Sequence, residues 1–174
     1  MAGIRNRFAR VRYADCPTVD ADILIDAPIE RVWQLVTDIE LPSRFSSEFA
    51  GATWLDDGPR EGARFVGRNR HPAIGEWETT SIVKRFDPPH AFEWCVTDLD
   101  EPSAVWRFEL EEEDGRVRLR QHAQMGPAPS GLSIAINAMP DKEERIVARR
   151  LEEFEANMRA TLDGIKRIAE GSVS

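Results

Sequence analysis

Two periods of apolar residues divide the chain. Val19, Ala21, Ile23 and Ile25 alternate with Asp20, Asp22 and Leu24, close to the two-residue period of a half-buried strand. Beyond Asp26-Ala27-Pro28, the residues Ile29, Val32, Trp33 and Val36 take helical spacing, with Asp26 as the expected cap and proline in the first turn. A short amphipathic helix to about Asp38 follows, and residues 40–50 read as a second short helix or an irregular turn. Near the end, Val147, Leu151, Phe154, Met158, Leu162 and Ile165 recur at spacings of three and four, after a capping-box-like Asp141 and Glu144. This predicts one helix on the order of 45 Å long at 1.5 Å per residue.

The strands between these helices are placed by their charges. If Asp114-Gly115 is a two-residue hairpin turn, Glu113 faces Arg116, Glu111 faces Arg118 and Glu109 faces Arg120, all on one side. The other side then pairs Leu110 with Leu119, Phe108 with Gln121 and Trp106 with Ala123. A slip of one residue would bury half of these charges, so the register is strongly specified. Around His71–Gly75 the same logic sets Arg70 against Glu76 and Arg68 against Glu78. Asn69, Gly67 and Phe65 then lie opposite Trp77, Thr79 and Ser81. Across Asp87-Pro88-Pro89-His90, Lys84 is expected opposite Glu93 and Val83 opposite Trp94. With a short strand over Gly51–Leu55, about seven strands are expected.

The fold class is therefore α+β: a curved antiparallel sheet wrapped on a long C-terminal helix, with two short helices after the first strand. The helix has one apolar stripe, and the uncharged side of the sheet is the large surface available to cover it. That inner side holds Phe65, Trp77, Trp94, Trp106 and Phe108, but also Gly67, Asn69, Thr79, Ser81, Gln121 and Ala123. Solid cores use bulky aliphatic residues, whereas apolar walls with a few polar groups make a small-molecule site. The alternative is that the small residues merely admit the helix and the polar ones bond to backbone. Asn157, Phe154 and Met158 of the long helix would complete the lining.

Composition narrows the function. The chain has 174 residues, 31% charged and 41% hydrophobic, which suits one globular domain. Residues 18–170 form that domain, and residues 1–17 are expected as a poorly ordered arm with Arg5, Arg7, Arg10 and Arg12. A net charge of −8 disfavours nucleic acid. The absence of a secretory signal or of a membrane-length apolar run points to the cytoplasm. Cys16 and Cys95 show neither disulfide nor zinc spacing, and no cofactor or metal is indicated.

The order of these elements resembles the START-like, Bet v 1-like superfamily, and within it the polyketide cyclase/dehydrase-type proteins. The resemblance spans roughly residues 18 to 168. It rests on Asp26-Ala27-Pro28-Ile29-Glu30-Arg31-Val32-Trp33, on Gly62-Ala63-Arg64-Phe65-Val66-Gly67-Arg68-Asn69, on Asp87-Pro88-Pro89 and on the closing helix. It implies a helix-grip fold with a deep hydrophobic cavity whose members bind lipids, hormones, quinones or polyketides, only some being enzymes.

Catalytic chemistry is less legible. His122 falls on the outer side opposite Arg107, His71 and His90 belong to turns, and Glu78 faces outward. None is placed as a base inside the cavity. Leu132, Ile134 and Ile136, after the Gly/Pro-rich segment 126–131, are candidates for a lid or a plain rim, as are Trp54 and Phe45 for rim packing. Three functions follow: a binder of a hydrophobic small molecule, a cyclase/dehydratase-type enzyme, or an interaction module resembling the activators of the Hsp90 ATPase.

Overall fold

A computed structural model describes Phe8 and residues 10–171. The seven strands are β1 (Thr18–Ile25), β2 (Phe49–Trp54), β3 (Arg64–His71), β4 (Gly75–Asp87), β5 (Ala91–Val96), β6 (Ala104–Glu113) and β7 (Arg116–Met125). They form one antiparallel sheet in the order β1-β7-β6-β5-β4-β3-β2. Helix α1 (Ile29–Val36) follows β1, while α2 (Gly131–Ala138) and α3 (Glu143–Ala169) follow β7. The expected second short helix is a single 3-10 turn over Leu41–Arg44.

Both charge-deduced hairpins have the expected register. Glu113, Glu111 and Glu109 stand opposite Arg116, Arg118 and Arg120, and Arg70 and Arg68 opposite Glu76 and Glu78. Asp114 and Gly115 take φ of 51° and 78°, the left-handed pair that a tight hairpin of this twist requires. At the third hairpin Val83 does meet Trp94, but a bulge follows and Arg85, not Lys84, stands opposite Glu93. Lys84 still reaches Glu93, at 3.7 Å. The extra residue also brings Phe86 opposite Phe92.

Neither expected cap is used. Pro28 is the N-terminal cap of α1 and Lys142 that of α3, and neither side chain bonds to the helix. Asp26 instead donates its backbone N–H to Glu170 at 2.8 Å. This is one of several ties on the far end of α3. Arg31 donates to the carbonyls of Ala169 at 2.7 Å and Ile168 at 2.8 Å, and Lys166 donates to that of Leu24 at 2.7 Å. Carbonyls that the helix end leaves open are thereby satisfied.

Described residues before β1 touch the core. Phe8 is buried, Val11 and Tyr13 pack on the core, and Tyr13–Asp15 forms a 3-10 turn. Arg5 and Arg7 lie outside the described residues. Val147, Leu151, Met158, Leu162 and Ile165 of α3 are buried, with Phe154 half-buried. Gly164 is required by close approach: a Cβ there would sit 2.5 Å from the Phe45 ring. The helix lies chiefly over β1, with lesser contact to β7, rather than along the middle of the sheet. The inner surface of β3 to β6 is therefore only partly covered. No described helix is long and apolar enough to cross a membrane.

Candidate functional site

The uncovered part of the inner surface encloses a cavity of about 620 Å³. Small-molecule sites usually measure roughly 300–1,000 Å³. All of Phe65, Asn69, Trp77, Thr79, Ser81, Trp94, Trp106, Phe108, Gln121, Phe154, Asn157 and Met158 line it. Alternation brings them together: in paired antiparallel strands, residues on one face stay on one face.

The floor is a run of rings. Phe65 meets Trp94 at 5.9 Å between centroids, and Trp94 meets Phe92 at 5.0 Å and Phe108 at 6.1 Å, while Trp54, outside the lining, backs Phe65 at 5.4 Å. These tilted and edge-on contacts favour a fixed arrangement over a collapsing one. Phe154 of α3 meets Trp106 of β6 at 5.0 Å, joining helix to sheet at one side of the opening. Space over Gly67 is shared with the protein itself: a Cβ there would lie 3.4 Å from the Phe49 ring. At that point the small residue admits a side chain instead of leaving a void.

Several lining residues were not foreseen. Thr161 of α3 is buried on the cavity wall, and Tyr13, Glu48, Phe49, Ile74, Phe92 and Arg150 join it. The Tyr13 hydroxyl donates to the Ala128 carbonyl at 2.7 Å and so positions the segment leading into α2. Leu132 and Ile134 of α2 also line the cavity.

Charge enters the wall as a matched group. Arg150 donates to both oxygens of Glu48, at 2.6 and 2.5 Å, and to Glu153 at 3.0 Å, while its guanidinium stacks 4.6 Å from the centre of the Phe154 ring. His71 approaches Glu153 at 3.4 Å. Burial pushes the Arg150 pKa down, but the hydrogen bonds and charges of Glu48 and Glu153 outweigh it and hold the guanidinium above its ordinary value. Burial likewise pushes the Glu153 carboxyl up, and Arg150, with His71 and Arg149 adding, holds it below the usual carboxylate range. Glu48, His71 and Glu153 lie close enough to share an ion, yet both carboxylates are already taken by Arg150.

The other histidines lie as expected. His122 is opposite Arg107 on the outer face and bonded to Asp20 at 2.8 Å, and His90 sits in its turn. Asn157 is less free than expected, because its Oδ1 accepts from the Ser47 N–H at 2.9 Å and hydroxyl at 3.0 Å.

Comparison with known proteins agrees with this architecture. Residues 17–170 match the model of the family described as polyketide cyclase / dehydrase and lipid transport. A polyketide-cyclase-like protein from Corynebacterium glutamicum, solved by NMR, is 31% identical, with 89% of this chain and 92% of that one covered and a TM-score of 0.65. The di-domain aromatase/cyclase BexL of the BE-7585A biosynthetic pathway is 22% identical over 88% of this chain and 50% of its own, with a TM-score of 0.64. Ara h 8.0201 is 11% identical over 89% of this chain and 98% of its own, at a TM-score of 0.57, a likeness of fold alone. Among curated proteins there is no match. With a matching NMR relative, a seven-stranded grip on a long helix and a family model covering nearly the whole chain, the protein belongs to the polyketide cyclase / dehydrase and lipid transport family.

Proposed function

We propose that the protein binds a hydrophobic small molecule, a lipid, polyketide or other aromatic or isoprenoid metabolite, between the sheet and α3. The observation that carries this reading is the cavity of about 620 Å³ floored by a continuous run of aromatic rings. Close-packed interiors keep few voids larger than a water molecule, so a space of this size is a feature in need of an occupant. Family membership supports the same ligand class. Phe65, Trp77, Trp94, Trp106, Phe108, Phe154 and Met158 supply the apolar contacts, and Asn69, Thr79, Ser81, Gln121 and Asn157 the polar ones. We place the protein in the cytoplasm, consistent with two free thiols, of which the buried Cys95 is pushed up in pKa by its burial.

Native mass spectrometry of protein purified from its own cells is the test. A co-purifying apolar compound is expected, and Ser81→Trp, which puts an indole into the space, is expected to weaken the adduct while leaving the protein folded. Folded protein that never carries or takes up any apolar compound overturns the reading.

The second reading, a cyclase/dehydratase-type enzyme, draws on Arg150 beside the cavity, a cation able to stabilise an enolate oxygen. It also needs a base, and Glu48, the carboxylate nearest that cation, is engaged by it on both oxygens. Binding is the better supported function.

A further inference from the structure

Three polar side chains are set among the buried apolar lining of the cavity: Ser81, 2% exposed, Thr161, 3% exposed, and Gln121, 6% exposed. Among the described residues, none of these three side chains has a hydrogen-bond partner. The Gln121 Oε1 is wholly buried and has no hydrogen-bond partner among the described residues. Native interiors seldom leave such groups unpaired. They come from β4, α3 and β7, so they face the space from both sheet and helix.

The outer end is the reverse. Ile74, 48% exposed, and Ile134, 75% exposed, line the cavity from the β3–β4 turn and from α2. The Arg150–Glu48 pair is satisfied within the protein, and the Asn157 Oδ1 is taken by Ser47. The most buried polar lining is thus at Ser81, Thr161 and Gln121, with Asn69 and Thr79 half-buried, and the most exposed apolar lining is at Ile74 and Ile134.

We infer that the natural ligand is amphipathic and enters with a neutral oxygen-bearing end first. Hydroxyl or carbonyl groups reach Gln121, Ser81 and Thr161, and the hydrocarbon end rests at Ile74 and Ile134. Hydroxyls and an amide both donate and accept, which suits neutral oxygens. A buried carboxylate is disfavoured there because none of the three carries a positive charge. This inference rests on the cavity being the ligand site.

The probes are 4-pentylphenol, pentylbenzene and 4-pentylbenzoate, titrated by NMR into protein with labelled isoleucine and threonine methyls. Pentylphenol is expected to bind about tenfold tighter than pentylbenzene, and pentylbenzoate weakest. Gln121→Leu should remove roughly fivefold of the phenol's affinity, the scale of one hydrogen bond. In the wild-type complex the chain-terminal methyl should show contacts to Ile74 and Ile134, and the ring protons to Thr161. Pentylbenzene binding as tightly as the phenol, the benzoate binding tightest, or the contacts reversed would each overturn the inference while leaving the cavity as a ligand site. If no probe perturbs any lining methyl, the cavity reading falls and this inference with it.

Discussion

The two faces of the sheet come from the same strands and yet treat polar groups in opposite ways. On the outer face, Arg118 pairs with Asp22 and Glu113, each at 2.6 Å, and Arg107 with Glu93 at 2.9 Å and Glu109 at 3.2 Å. On the inner face Ser81 and Gln121 pair with nothing among the described residues. Apart from the buried Arg107 Nε, the outer ladders spend their hydrogen bonds on each other, and their main effect is to forbid a register slip. The inner face keeps its capacity open. Alternation along a strand thus separates a surface that specifies the fold from one available to a guest.

Substitutions on the two faces should differ accordingly. Leu119→Ala removes a fully buried inner side chain that does not line the cavity and is expected to cost about 3 kcal/mol, read as a lower urea midpoint at unchanged slope. A loss of a few tenths would mean that the solid part of the interior is as loose as the cavity. Glu153, at the rim, should show an intermediate, pH-dependent effect. Its folded carboxyl is depressed, so its contribution is present above the unfolded value of about 4.3 and is lost as pH falls through the folded one. Stability measured from pH 7 down to 3 should therefore fall less steeply in Glu153→Gln. An acid limb of unchanged steepness would remove Glu153 from the group around Arg150. Smallest of all, Lys84→Ala on the outer face, at a half-exposed ion pair, should change stability by no more than about 0.5 kcal/mol.

Much of the fold was readable because charge and alternation constrain each other. Two hairpin registers follow from acids facing bases, and the resulting inner face delivered the lining residues of the cavity. The bulge after Val83 is not readable, because the extra residue, Lys84, and its neighbour Arg85 are both bases and either one can face Glu93. The helix caps differ from expectation because Asp26 and Asp141 have side chains that suit a cap, whereas tertiary contacts decide whether one is used. Arg150 and Glu48 are 102 residues apart, so only the folded packing of α3 beside the β2 edge reveals them as a pair. Thr161 fits the spacing of the buried helical stripe, and with that signal it belonged among the candidates beside Phe154 and Met158.

The ties between α1 and the end of α3 have a mechanical meaning. Those backbone carbonyls hold one end of a rod of 27 residues, roughly 40 Å long at 1.5 Å per residue. Its other half is held as well: the Tyr13 N–H donates to Glu143 at 3.1 Å, Val147 and Ala148 are buried, Arg150 is paired with Glu48 and Asn157 accepts from Ser47. A rod anchored along its length is a rigid wall, so the size of the guest is set by the side chains between wall and sheet.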